Sequence, residues 1–150
     1  MKDGIVLFEQ KIIEKEIVNE FIEYFNSTIK FSKVVYTDWT KKDVLAHIAS
    51  WHISFANNLL AAVKCEEPDP FKGSLTDVNK REVSRLRIFS ISELLEFMTN
   101  AQRIIEINVE SVKIKEIVYK RGSRNYTPLE HLEIVSRHIK GHLDDLRKID

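Results

Sequence analysis

The sequence is poor in the residues that build disulfides and tight turns. Its 150 residues include one cysteine, three prolines and four glycines. A single cysteine cannot form an intrachain disulfide or a paired-cysteine zinc site, and it suits a reducing compartment. The overall composition is that of a globular protein and excludes a fibrous or disordered chain.

Net charge and long apolar runs are also absent. Lys and Arg together number 23, as do Asp and Glu, so the formal net charge is zero. That balance provides no attraction to nucleic acid or to an anionic membrane. No apolar run approaches the roughly 20 residues of a membrane span, and residues 1–4 lack the features of a signal peptide. We therefore expect a cytoplasmic protein that binds neither nucleic acid nor membrane.

Helical periodicity is the strongest pattern that the sequence does contain. Its length suits a single domain, residues 1–150, with one core. Apolar residues at steps of three and four predict four long amphipathic helices. The first covers residues 5–29, and the others begin after capping signals at Thr40, Ser90 and Thr127. Pro128 at the first helical position makes the last of these signals the clearest.

Three segments connect the predicted helices. Residues 31–38 are expected to form a loop, and residues 64–89 a long crossover that holds a short helix at 76–86. Residues 112–125 are interpreted as a connector, although the alternation at 114–119 permits a short strand. The result is an all-α four-helix bundle with a long crossover between its second and third helices, an architecture that often carries metal sites.

Two histidines stand four residues apart on the last predicted helix. His138 and His142 are thereby roughly 5–6 Å apart at Cβ, which makes them half of a transition-metal site. His47, on the second helix, is the best third ligand. His52 points about 140° away from it, and His131 lies about 10.5 Å along the axis from His138. We therefore interpret His52 and His131 as structural.

Of the other residues, Asp43 and Trp51 each allow two interpretations, whereas Cys65 and a basic group do not indicate a site. Asp43 can accept a hydrogen bond from His47, or serve as the acidic residue in the first turn of its helix, or both. Trp51 is either a core aromatic or part of the mouth of the site. Cys65 has no signature of an activated nucleophile. The basic group near the connector is interleaved with Glu110 and Glu116 and favours a solvated face; it comprises Lys113, Lys115, Lys120, Arg121 and Arg124.

Three segments resemble sequences of a known superfamily and its relatives. Residues 38–51 are similar to the pattern W-[ST]-x-x-D-[VL]-x-x-H-[IL]-x-x-W of the DinB-like superfamily, and the pair His138 and His142 matches its second signature. Residues 77–79 resemble subfamilies close to the mycothiol-dependent maleylpyruvate isomerase N-terminal domain. The resemblance covers nearly the whole chain. It implies a four-helix bundle that carries a divalent metal, commonly zinc or nickel, on His47, His138 and His142.

The resemblance also implies a chemistry. Three imidazoles leave a fourth position for water or substrate, as in catalytic sites. We expect a metal-dependent enzyme of the thiol transferase or hydrolase type, with a small-molecule substrate and a low-molecular-weight thiol or water as the activated group. Homodimers are frequent in the family. One alternative is a non-catalytic bundle that binds a ligand or protein, with its histidine site vestigial or empty. Another is a stoichiometric sequestration or self-resistance protein that binds a reactive small molecule. The alternative to metal binding is that the three histidines simply complete hydrogen bonds.

Overall fold

A computed structural model of the chain describes residues 2–27 and 30–150. These residues form five helices and one short hairpin. In chain order the elements are α1 (Lys2–Ser27), β1 (Val34–Tyr36), β2 (Trp39–Thr40), α2 (Lys41–Lys64), α3 (Leu75–Leu86), α4 (Ile91–Asn108) and α5 (Pro128–Lys148). The four long helices are those predicted, and α3 is the short helix expected in the crossover, so the all-α bundle is confirmed.

Local sequence explains where the long helices begin. The side chains of Thr40, Ser90 and Thr127 each accept a hydrogen bond from the backbone three residues on. At that third position an acidic side chain accepts a hydrogen bond from the backbone N–H of the cap residue, which completes the three predicted capping boxes. Each cap is worth about 1 kcal/mol. The starts of α2 and α5, which carry the three site histidines, are thus set by short-range chemistry.

The bundle packs α2 chiefly on α4 and α1 chiefly on α5, with α3 against α2. Its buried side chains form two clusters. One includes Phe21, Phe25, Leu45, Ile48 and Met98, and the other Phe55, Leu59, Ile105, Ile117 and Leu132. Val135 of α5 contacts both clusters. Both clusters contain residues of α2 and of α5, so apolar packing holds together the two helices that carry the histidines.

The first helix is amphipathic over only part of its length. Its later apolar residues, such as Val18 and Phe21, are fully buried. Two earlier apolar residues of the predicted amphipathic helix face outward, since Phe8 is 50% and Ile12 41% exposed. Ile29, the last residue of the predicted helix, lies outside the described residues. The apolar residues of this helix thus extend beyond what the bundle covers.

The segment predicted as a loop before α2 contains a hairpin, so that prediction was wrong. β1 and β2 pair antiparallel, with Val34 opposite Thr40 and Tyr36 opposite Trp39. The run of β-branched and aromatic residues at 34–36 favours an extended strand. The hairpin matters because it places Tyr36 over the end of the bundle that carries the histidines.

The connector before α5 contains no regular strand within the part of the chain that the structure describes. Two isolated bridges hold it, one between Ile117 and Tyr126 and one between Phe71 and Lys120. The second bridge ties the connector to the crossover. Separately, no helix in the described ranges has the length and apolar character needed to cross a membrane.

Candidate metal centre

Three imidazole rings meet between α2 and α5. His47 Nε2 lies 3.0 Å from His138 Nε2, which lies 3.1 Å from His142 Nε2. One nitrogen from each ring falls within 4.8 Å of the others. Ligands 2.0–2.1 Å from a tetrahedral zinc ion are roughly 3.3–3.4 Å apart. The histidines singled out in the sequence are therefore brought to about the spacing that one ion requires.

Hydrogen bonds alone cannot pair these three nitrogens. A neutral imidazole nitrogen either donates one proton or accepts at one lone pair. His138 Nε2 faces both His47 and His142 but can pair with only one of them. A cation that accepts a lone pair from each ring satisfies all three at once. The donor set therefore fits a metal ion.

The surroundings keep the three rings in the form that binds metals. Burial lowers the pKa of His47 to about 3, and the neighbouring His138 and His142 act in the same direction. Burial together with His142 lowers the pKa of His138 to about 4. Burial also lowers the pKa of His142, opposed by Asp145. All three rings are thus neutral at neutral pH, with lone pairs available to an ion.

A tyrosine and an aspartate orient His142. Tyr36 Oη lies 2.5 Å from Asp145 Oδ2 and 2.8 Å from His142 Nδ1. A carboxylate only accepts, so the single phenolic proton goes to Asp145 and the phenol oxygen accepts from His142 Nδ1–H. That arrangement leaves the lone pair of His142 on Nε2, which faces the other two rings. Sequence reasoning named neither Tyr36 nor Asp145.

His47 is held differently, and of the two roles left open to Asp43 the structure does not show the one of orienting this ring. His47 Nδ1 is buried without a hydrogen-bond partner among the described residues. Asp43 instead completes the cap of α2 and accepts from Arg87 Nε at 2.9 Å. Packing positions the His47 ring, whose centroid lies 4.8 Å from that of Trp39. Asp43 therefore fulfils only the second of its two predicted roles.

The other two histidines lie outside the cluster, as expected. His52 is buried and pairs with Gln102 Oε1 at 2.8 Å on another side of α2. His131 stacks on Phe55 with ring centroids 4.7 Å apart and lies under Tyr126 at 5.6 Å. Both rings serve packing and hydrogen bonding.

A cavity of about 280 Å³ opens beside the cluster; we call it the aromatic chamber. It is lined by His47, Trp51, Ser54, Phe55, Asn58, Leu75, Asn79, Val118, Tyr119, His131, Ile134, Val135 and His138. Trp51 donates from Nε1 to Asn79 Oδ1 at 2.7 Å and stacks on Tyr119. Of the two positions open to Trp51 in the sequence, the structure places it in the wall of the cavity.

A second cavity, of about 840 Å³, meets the cluster from the side of His142; we call it the polar groove. It is lined by Tyr36, Thr37, Asp38, Trp39, Thr76, Asn79, Lys80, Val83, Ser84, Arg87 and His142. Asn79 borders both cavities. The cluster therefore presents His47 and His138 to one cavity and His142 to the other.

Two remaining features of the sequence lie on the surface. Cys65 is exposed at the end of α2, in a left-handed conformation with φ 55°. In the basic group, Lys120 Nζ donates to Gly73 O at 2.9 Å, and Arg124 pairs with Glu130 at 2.8 Å. Lys120 thus holds a loop, and Arg124 pairs with an acidic residue in the first turn of α5, so neither side chain is arranged to bind an anion.

Solved structures that share this fold include that of the mycothiol-dependent maleylpyruvate isomerase and that of a histidine-to-alanine mutant of it. Each aligns with a TM-score of 0.75 at 18% identity and covers 93% of this chain. The chain spans 60% of the length of those proteins. No family model matches the sequence, and no curated protein matches it. At this identity the likeness establishes the fold alone, and the predicted DinB-like fold is confirmed.

Proposed function

We propose that this DinB-like bundle is a divalent-metal-dependent enzyme that acts on a small-molecule electrophile. In this proposal His47, His138 and His142 hold one zinc or nickel ion. The observation that carries it is the approach of three neutral imidazole nitrogens to within 4.8 Å of one another. Nitrogen ligands suit zinc and nickel, and three of them leave a position open for a reactant.

The placement of the cluster between two cavities supports a reaction with two participants. His47 and His138 border the aromatic chamber, and His142 borders the polar groove. When bound, the ion would polarise a carbonyl or favour the ionised form of a water or small thiol. We assign the thiol or water to the polar groove and the electrophile to the aromatic chamber. The predicted cytoplasmic location and homodimer remain predictions.

Metal titration tests this proposal. We expect the purified protein to bind about one equivalent of zinc or nickel. Because the ion binds the folded bundle, metal at about 100 times its Kd stabilises it by about 2.7 kcal/mol. For a chain of this size, removing that metal with a chelator lowers the Tm by roughly 5–10 °C. Calorimetric titration and thermal melts with and without chelator measure both effects.

The same preparation separates the enzyme from a sequestration protein. With a small thiol supplied, each chain of a metal-loaded enzyme should convert more than one molecule of electrophile. Each chain of a sequestration protein would capture only one. The metal centre would be rejected if the protein bound no metal and its melting temperature changed with neither metal nor chelator. One-for-one capture without release would reject the enzymatic proposal and favour sequestration.

Substituting Tyr36 with phenylalanine is expected to weaken metal binding about 10–100-fold. The change removes the acceptor for His142 Nδ1–H and leaves the ring otherwise packed. Competition with a chelating dye measures the affinity. Tyr24→Phe is the matched control, because the Tyr24 hydroxyl also contacts the end of α5, at Leu146 O and Asp150 Oδ1. Equal affinities for the two variants would show that Tyr36 does not orient His142.

A further inference from the structure

The aromatic chamber has a wall of stacked rings. Trp51 and Tyr119 stack with centroids 5.1 Å apart and an interplanar angle of 20°. Phe55 and His131 stack at 4.7 Å and 15°, and Tyr119 joins the two pairs at 6.1 Å from His131. Flat rings in contact favour offset-stacked and edge-on partners. The wall therefore suits a ligand that is itself planar and apolar.

The chamber carries little charge with which to hold an ion. Its described lining residues include no Lys, Arg, Asp or Glu. Apart from its histidines and Tyr119, the polar lining consists of Ser54, Asn58 and Asn79, and Asn58 Nδ2 donates to Ser54 Oγ at 3.4 Å. Away from the ion that His47 and His138 would hold, a charged group on the ligand would find no charged side chain in this lining, and leaving water without such a partner costs several kcal/mol. An uncharged ligand with one hydrogen-bonding group loses far less.

The polar groove differs in this respect. Lys80 and Arg87 border it together with Asp38. Charged or strongly polar ligands are therefore better matched to the groove, and the two cavities differ in the chemistry that each accepts. The size of the chamber adds a second limit. An apolar cavity of about 150 Å³ holds benzene, so about 280 Å³ accommodates one ring with a substituent.

We infer that the electrophile of this site is an uncharged, ring-sized molecule with a single hydrogen-bonding group. Its ring occupies the aromatic chamber against Trp51 and Tyr119, and its reacting atom faces His47 and His138. The inference rests on the proposed function for the reaction. Its binding step rests on the chamber alone, so the two can be tested separately.

Benzamide and benzenesulfonate form the diagnostic pair of probes, since both carry one ring and the sulfonate is a poor metal ligand. On the zinc-loaded protein we expect benzamide to bind at least about tenfold more tightly. The chain has two tryptophans, Trp39 and Trp51. Benzamide should shift the NMR signal of the Trp51 indole N–H far more than that of Trp39, with Trp39→Phe used to assign the two signals.

A variant that fills the chamber provides the second measurement. Ile134→Trp places an indole in the cavity and should weaken benzamide binding at least about tenfold. Arg137→Trp adds the same side chain at an exposed position of the same helix and should leave binding unchanged. If Ile134→Trp does not fold, the two tryptophan signals of the unmodified protein still locate the ligand.

The inference is overturned by equal binding of the two probes, by a shift confined to Trp39, or by no benzamide binding at about 10 mM. It is also overturned if a folded Ile134→Trp variant binds benzamide as well as the parent. Zinc content is measured on the same samples. If the protein binds zinc but not benzamide, the proposed ligand class is refuted and the metal centre is still supported. If the protein takes up no zinc, the proposed function is refuted.

Discussion

Replacing His138 with alanine is expected to reduce bound metal from about one equivalent to less than about a tenth. His138 Nε2 is the nitrogen closest to both partners, 3.0 Å from His47 Nε2 and 3.1 Å from His142 Nε2. Without it two imidazoles remain, one on each helix. Two neutral nitrogen ligands are too few for a closed or a catalytic zinc site. Elemental analysis after dialysis measures the loss.

His131→Ala is the matched control for that experiment. It removes a buried imidazole from the same helix, and His131 lies outside the cluster. We expect this variant to keep its metal while losing stability, because the ring stacks on Phe55. Metal retained by His138→Ala, or lost equally by both variants, would show that the cluster does not bind the ion.

Short-range chemistry made much of the fold predictable. The capping signals at Thr40, Ser90 and Thr127 predicted the starts of three helices because each cap and its acidic partner are three residues apart. Helical periodicity also depends on residues only three and four positions apart, and it predicted four long amphipathic helices. Neither pattern could show that Phe8 and Ile12 remain half exposed, since what covers a helix face depends on the other helices.

The candidate site was predictable only in part. The spacing of His138 and His142 indicates a shared face of one helix. His47 was chosen from the second helix as the best third ligand, and the family resemblance then implied all three. Tyr36 was missed because it was assigned to a loop, although the β-branched and aromatic run before a turn favours a hairpin. Asp145 could have been found one helical turn beyond His142. Their contact joins residues 109 positions apart, which no local pattern reveals.

Glu14 illustrates the opposite limit, since sequence reasoning treats a glutamate followed by Lys15 and Glu16 as exposed. Its side chain is fully buried in the bundle. Oε2 accepts from Gln102 Nε2 at 2.8 Å, while Oε1 has no hydrogen-bond partner in the described part of the chain and lies 3.8 Å from His52 Nε2. Burial raises the pKa of this carboxyl to about 7, opposed by Gln102 and assisted by Glu106.

Replacing Glu14 with glutamine is therefore expected to change the free energy of unfolding more favourably at pH 8 than near pH 4, by roughly 3 kcal/mol. The pKa of Glu14 rises on folding from 4.5 to about 7. Between those values the folded chain holds a proton that the unfolded chain has released. The contribution of Glu14 to the free energy of unfolding is thus fully present below pH 4.5 and is lost as the pH rises through 7. Glutamine stays neutral throughout and removes that loss.

The comparison must be made between variants, because buried histidines act in the opposite sense. Burial lowers the pKa of His52 from 6.5 to about 4. The stability that His52 contributes is therefore lost as the pH falls from 6.5 through 4. Comparing denaturant unfolding of Glu14→Gln and of the parent at each pH and at matched metal content cancels the contributions of histidines that do not contact Glu14. It also cancels the part of the His52 contribution that does not depend on Glu14, which lies 3.8 Å away. Glu16→Gln, at an exposed position of the same helix, is the matched control for the substitution itself. A difference for Glu14→Gln that is equally constant from pH 4 to 8 would mean that Glu14 does not ionise near neutrality, and that α1 carries no buried charge into the bundle.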